Sequence, residues 1–141
     1  MVKESFVKKI EQMSPEEVNK RQREIIKQEM SPIVPMEYVY SGKDEEVSYE
    51  SDELSAVCPQ TGLPDTYKLT IIYTPDKRIP ELKSLRFYIL SYREIPIFHE
   101  HLCQKIYLDL LKILKPRRLE VMLDVAVRGG IHTIVRKKSA S

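Results

Sequence analysis

A chain of 141 residues with 42% hydrophobic content can bury one modest core, so a single domain is expected. Lys and Arg number 23 against 21 Asp and Glu, and a net charge of +2 argues against the broad basic footprint that stable nucleic-acid binding requires. No apolar run is long enough to span a bilayer, Met1–Ser5 lack the apolar stretch of a signal peptide, and two cysteines make no disulfide framework; a cytoplasmic protein without a membrane anchor is expected.

Phe6, Val7, Ile10 and Met13 recur at helical spacing. Ser14-Pro15-Glu16-Glu17 then reads as a helix start, with Ser14 as cap, Pro15 at the first helical position and Glu17 completing a capping box, and the helix is expected to run to about Met30. Residues 1–30 are therefore expected to form an N-terminal helical extension, a solvated appendage to a single domain spanning 31–141. Pro32, Pro35 and the stretch Ser41-Gly42-Lys43 mark residues 31–57 as an extended arm with a turn.

From Thr66 the pattern alternates, with Tyr67, Leu69, Ile71 and Tyr73 on one face, until Pro75 ends a first strand. Lys83 to Tyr92 alternate too, Leu85, Phe87 and Ile89 facing one way, which predicts a second strand paired antiparallel with the first. Phe98, Leu102, Ile106, Leu110 and Leu114 then step by four, predicting a long helix stopped by Pro116. Leu119 to Val127 alternate, Gly129-Gly130 make a turn, and Ile131 to Lys138 return as the last strand. Strand, strand, helix, strand, strand is an α+β arrangement: a four-stranded antiparallel sheet with helical cover on one face.

The chemistry-bearing segment is Val57-Cys58-Pro59-Gln60-Thr61-Gly62-Leu63-Pro64-Asp65, where two prolines and a glycine force a tight reversal able to bring Asp65 beside Cys58. A thiol on a rigid loop with a carboxylic acid in reach suits nucleophilic attack coupled to protonation; an unremarkable turn cysteine is the alternative.

Glu81-Leu82-Lys83-Ser84-Leu85-Arg86-Phe87-Tyr88 resembles the signature of the QueF nitrile reductases, with Arg86 for the usual Lys and Phe87 for Leu or Tyr. The Cys58-Pro59 to Pro64-Asp65 loop, the triplet Phe98-His99-Glu100 and Arg128-Gly129-Gly130-Ile131 resemble the same family in the same order, so the likeness covers roughly residues 50–131. It implies NADPH-dependent reduction of 7-cyano-7-deazaguanine to its aminomethyl form, in queuosine biosynthesis for tRNA modification. It further implies a thioimide on Cys58, Asp65 as general acid, and a base held against Pro80, Glu81 and Leu82 and gripped by His99 and Glu100. The fold implied is the tunnelling fold, two strands, helices and two strands (ββααββ-like), whose subunits join into a multi-subunit barrel; in reductases of this length that is typically a decamer of two pentamers, with sites between subunits.

These residue types suit that chemistry. A nitrile carbon accepts a thiolate only if its nitrogen is protonated, which Asp65 can do if burial raises its pKa. A carboxylate at Glu100, in the first turn of its helix, can accept two parallel hydrogen bonds from a guanine-like base, and Phe98 can stack on it. Taken singly, Glu100 would be a dipole-complementing surface residue and His99 a packing histidine. There is no Gly-x-Gly-x-x-Gly, so NADPH phosphates must meet a cationic groove, with Lys83, Arg86 and Arg128 as candidates; ordinary strand-edge charges are the alternative. His99, His101 and Cys103 suggest a zinc site, but residues two apart on a helix point to different sides, and no metal is expected. Cys103 shares a helical face with His99 and reads as a buried packing thiol, or as the partner of a protective disulfide with Cys58 that some members of the family are equipped to make. The rival functions are an archaeosine-type amidinotransferase acting on the nitrile in tRNA, and a non-catalytic base-binding module.

Overall fold

The computed structural model describes residues 13–140; the helix expected around Phe6 to Ile10 lies outside them. Helix α1 is Pro15–Ile25. Its start is as the capping chemistry predicts, the Ser14 side chain accepting from the Glu17 N–H at 3.2 Å. Its end comes before Met30, because the Lys27 and Gln28 N–H groups donate three residues back, to Glu24 and Ile25, and tighten the chain into a turn. Val18 and Gln22, four residues apart on one face, are buried, so this helix is docked onto the body of the protein and is no solvated appendage.

The strands are β1 Pro35–Glu37, β2 Val47–Ser51, β3 Ser55–Val57, β4 Pro64–Thr74 and β5 Arg78–Pro80, followed by helices α2 Leu82–Leu90 and α3 His99–Leu114 and strands β6 Arg118–Val125 and β7 Ile134–Lys138. The main sheet is antiparallel in the order β2-β4-β6-β7, with β3 also paired to β4, while β1 and β5 form a separate small ladder. The principal elements thus run two strands, two helices, two strands.

The second strand expected over Lys83 to Tyr92 is instead helix α2. Leu85, Tyr88, Ile89 and Tyr92 are buried, a spacing of three, four and seven that only a helix places on one face. Phe87, which a strand would turn inward with Leu85 and Ile89, is 50% exposed. Ten residues carrying apolar groups on both parities satisfy either period; the N-cap decides, since the Glu81 carboxylate accepts from the Lys83 and Ser84 N–H groups at 2.6 and 2.9 Å. The partner of β4 comes from the arm, where β2 pairs Val47 with Tyr73 through Ser51 with Leu69.

The core lies between the sheet and helices α2 and α3. Tyr67, Leu69, Ile71 and Tyr73 of β4 and Leu119, Val121, Leu123 and Val125 of β6 present one face to Leu102, Ile106 and Leu110 of α3 and Leu85 and Ile89 of α2. The opposite face carries paired charges, Lys68 with Glu50 at 3.6 Å and Arg136 with Glu120 at 3.1 Å. No helix among the described residues is long and apolar enough to cross a membrane.

Leu123 pairs with Leu69 in the β4-β6 ladder and is fully buried. Leu123→Ala is expected to destabilise the fold by about 2–5 kcal/mol in urea unfolding, the range for a buried leucine whose cavity cannot collapse; a loss below about 1 kcal/mol would mean that the sheet-helix interface is loosely packed.

Candidate active site

Cys58 follows β3 and is held by a closed loop: its N–H donates to the Leu63 carbonyl and its carbonyl accepts from the Gly62 N–H, both at 2.9 Å. The reversal needs a left-handed residue, which Gly62 supplies at φ 72°. The returning strand pairs Pro64 with Val57 and Asp65 with Ala56, so the register sets Asp65 beside the residues leading into Cys58. Asp65 and Tyr67 are two apart on β4 and both turn inward, Asp65 being 4% exposed.

The segment Ile95–Glu100 is attached to this loop by main chain. Ile95 accepts from the Val57 N–H at 2.9 Å and the Ile97 N–H donates to the Val57 carbonyl at 3.1 Å, a short parallel bridge one residue before Cys58. Phe98 is the N-cap residue of α3, and His99 and Glu100 open its first turn, where the helix dipole favours the Glu100 carboxylate. Phe98 and His99 are half-buried and Glu100 is exposed, so all three are open to a ligand.

Tyr67 ties the two parts together. Its hydroxyl lies 2.7 Å from His99 Nδ1, and the rings meet edge to face at 5.4 Å between centroids. Burial, and then the negative groups of Asp65, Cys58 and Glu100, hold the phenol far above its ordinary pKa. It therefore keeps its proton, and the hydroxyl and Nδ1 share one hydrogen bond whose donor follows the His99 tautomer. Cys58, Asp65, His99 and Glu100 thus gather around one buried phenol.

Arg128, a candidate for cofactor phosphates, sits in this cluster: its Nε is 3.3 Å from Asp65 Oδ1, and its Nη2 donates to the Pro64 carbonyl. The remaining candidates lie elsewhere in the chain. Pro80, Glu81 and Leu82 stand where β5 passes into α2, and neighbouring Arg78 donates to the Ile113 carbonyl in the last turn of α3. His99 and Glu100 open the same 16-residue helix, roughly 20 Å from Ile113 along its axis. Beyond Pro80–Leu82, exposed Lys83 and Arg86 follow on one face of α2; Arg86 makes a bidentate pair with Glu53 at 2.9 and 3.1 Å, and Lys83 Nζ lies 6.0 Å from the Phe87 ring centroid. Two backbone N–H bonds, from Lys83 and Ser84, hold the Glu81 carboxyl below its usual range.

Both cysteines are free. Cys103 is fully buried, its thiol over the Val121 and Val135 carbonyls at 3.6 and 3.8 Å between α3 and the sheet, and burial pushes its pKa up to about 11. The structure therefore supports the packing reading of Cys103 over a pairing with Cys58. His101 is engaged by α1, its Nδ1 2.9 Å from Gln22 Oε1. Sequence reasoning missed Tyr67 and Gln22 as parts of this neighbourhood. Tyr67 was visible only as one inward residue of its strand, and Gln22 as a polar residue four after Val18.

Residues 64–141 match the family model described as QueF-like protein. Over 98 residues the chain is 49% identical to the NADPH-dependent 7-cyano-7-deazaguanine reductase of Caldicellulosiruptor bescii, covering 70% of this chain and 75% of that one. It is 48% identical over 98 residues to the reductase of the same name from Caldanaerobacter subterraneus, covering 70% and 73%. In structure it is similar to the apo crystal structure of the archaeosine synthase QueF-Like, with a TM-score of 0.64 at 20% identity over 68% of this chain and 94% of that one, a likeness of fold alone. By the family match and by identity to these relatives, the chain belongs to the QueF-like family.

Proposed function

We propose that this chain catalyses the NADPH-dependent reduction of the nitrile of 7-cyano-7-deazaguanine to the primary amine, the step that serves queuosine biosynthesis, in the cytoplasm. The observation that carries the reading is the Cys58 loop, pinned by main chain to the Phe98–Glu100 segment in a chain 46–49% identical to reductases of that name.

The Cys58 thiolate adds to the nitrile carbon while Asp65 delivers a proton to the nitrile nitrogen, giving a thioimide. NADPH, when bound, supplies a hydride to the thioimide carbon and, after the thiolate has left, a second hydride to the resulting imine. Two cofactor molecules and two protons thus balance the four-electron reduction, and Cys58 is regenerated. Glu100 accepts the ring N–H and exocyclic amine of the base, His99 donates through Nε2 to an acceptor on it, and Phe98 offers a ring face. Arg128 acts as the positioning partner of the Asp65 carboxyl. Lys83 and Arg86, three apart on the exposed face of α2, suit the cofactor phosphates, which can displace the solvent-screened Glu53 from Arg86.

Arg78, two residues before Pro80, is held at the end of α3 opposite His99 and Glu100, and this arrangement supports assembly. Residues 31–141 act as one tunnelling-fold catalytic domain extended by residues 1–30, and subunits join through the β2 and β7 edges of the main sheet into a barrel of two stacked pentamers. Exposed apolar side chains accompany both half-sites: Val127, Ile131 and Ile134 near Arg128, and Met36, Leu82 and Phe87 near Glu81. The Glu81 segment of one subunit then meets the Cys58 loop of the next.

Cys58→Ala is expected to abolish NADPH oxidation by the nitrile base while leaving base binding measurable by calorimetry; wild-type turnover would end the covalent mechanism. Asp65→Asn should slow turnover by roughly 10²–10⁴, and an unchanged rate would assign the proton elsewhere. Tyr67→Phe keeps the ring and removes the hydroxyl. It is expected to free the His99 tautomer, seen in ¹⁵N spectra as protonation shared between Nδ1 and Nε2, and to raise KM for the base several-fold. A ring still protonated only at Nε2 would show that Tyr67 does not set it.

A further inference from the structure

The extended segment Ile95–Phe98 has two hydrogen-bonding sides. One side, the Ile95 carbonyl and the Ile97 N–H, is taken by Val57. The other side, the Pro96 carbonyl and the Phe98 N–H, is taken by a single side chain from the far end of the sequence, Gln22 of α1. Its Nε2 donates to the Pro96 carbonyl at 2.8 Å, and its Oε1 accepts from the Phe98 N–H at 3.1 Å. The same oxygen lies 2.9 Å from His101 Nδ1, whose ring stands edge to face with Phe98 at 5.8 Å. A primary amide carries the same donor and acceptor as a peptide group, so Gln22 occupies the place a neighbouring strand would fill.

Gln22 is only 2% exposed, and burying its amide is tolerable only because these partners satisfy it. α3 has no cap of its own, since Phe98 offers no side-chain hydrogen bond at the N-cap position. The entry of the chain into the helix that carries His99 and Glu100 is therefore fixed from outside, by Val57 on one side and Gln22 on the other.

We propose that Gln22 is a positioning residue for the substrate site: its carboxamide sets Phe98, His99 and Glu100 at the distance from Cys58 that the bound base requires. This makes α1, which lies outside the 64–141 family match, a working part of the site. The proposal rests on the reading of Phe98–Glu100 as the base-binding segment. Gln22 touches neither substrate nor reacting atoms and acts only through the segment it braces.

Gln22→Met keeps volume and apolar packing while removing both ends of the clamp. In full-length protein the KM for 7-cyano-7-deazaguanine is expected to rise about tenfold, with the KM for NADPH unchanged and kcat within about threefold, the loss of one to two hydrogen bonds falling on base binding. Backbone amide exchange of residues 95–101 in the unliganded variant is expected to quicken while that of β6 does not. An unchanged KM for the base, or equal losses for base and cofactor, would overturn the proposal, as would unchanged exchange at Phe98. Should the variant not fold, exchange in wild-type protein decides: base binding must slow exchange in α1 together with residues 95–98, and an indifferent α1 contradicts the clamp. Wild-type protein that does not turn over the base would contradict the proposed function instead, a failure distinct from any difference between variant and wild type.

Discussion

The parallel bridge between Val57 and the Ile95–Ile97 segment is the constraint on which the site depends. Cys58 follows Val57 directly, and Phe98 follows Ile97 directly, so two main-chain hydrogen bonds fix a thiol-bearing loop relative to the helix start proposed to hold the base. Neither partner is free to drift. The loop is anchored behind by β3 pairing with β4, and Ile97 is fully buried in the core. Side chains then add detail to a geometry that the backbone already holds: Tyr67 orients His99, and Arg128 pairs with Asp65. Such support suits the proposed mechanism, whose nucleophile, acid and recognition groups come from three different elements.

Helix α3 has a second consequence. It carries His99 and Glu100 at one end and, through Arg78 and Ile113, anchors the Pro80–Leu82 segment at the other. A rigid helix of this length keeps the two groups of candidate residues apart within a subunit. The same rigidity suits the proposed site shared between subunits, in which each copy would present both halves at fixed spacing to its neighbours.

Much of this was legible in the sequence where local rules act alone. The Ser14-Pro15 helix start, the long helix after Phe98, the β6-β7 hairpin and the loop that returns Asp65 toward Cys58 each follow from capping residues, period or turn chemistry within a few positions. Two kinds of information were not local. Residues 83–92 satisfy both the strand and the helix period, and the non-local fact that settles them is that β4 already pairs with β2 and β6. The arm had its own strand signal, the alternation of Val47, Tyr49 and Ser51, but it is short and half-exposed. In the site, Cys58, Asp65 and the Phe98–Glu100 triplet were readable because their chemistry is specific to their residue types. Gln22 was not, because its hydrogen bonds cross more than 70 positions of sequence and no spacing rule links an amide in one helix to the backbone entering another.

In the proposed mechanism Cys58 forms a covalent bond with the nitrile carbon of a base held in place by the segment bridged to its own loop. Intact-mass measurement of the full-length protein after addition of 7-cyano-7-deazaguanine without NADPH, followed by peptide mapping, tests it most directly. The account predicts a mass increase of one base per occupied site, located on the peptide containing Cys58 and absent from the peptide containing Cys103. Stoichiometric binding of the base with no adduct on Cys58 would contradict it.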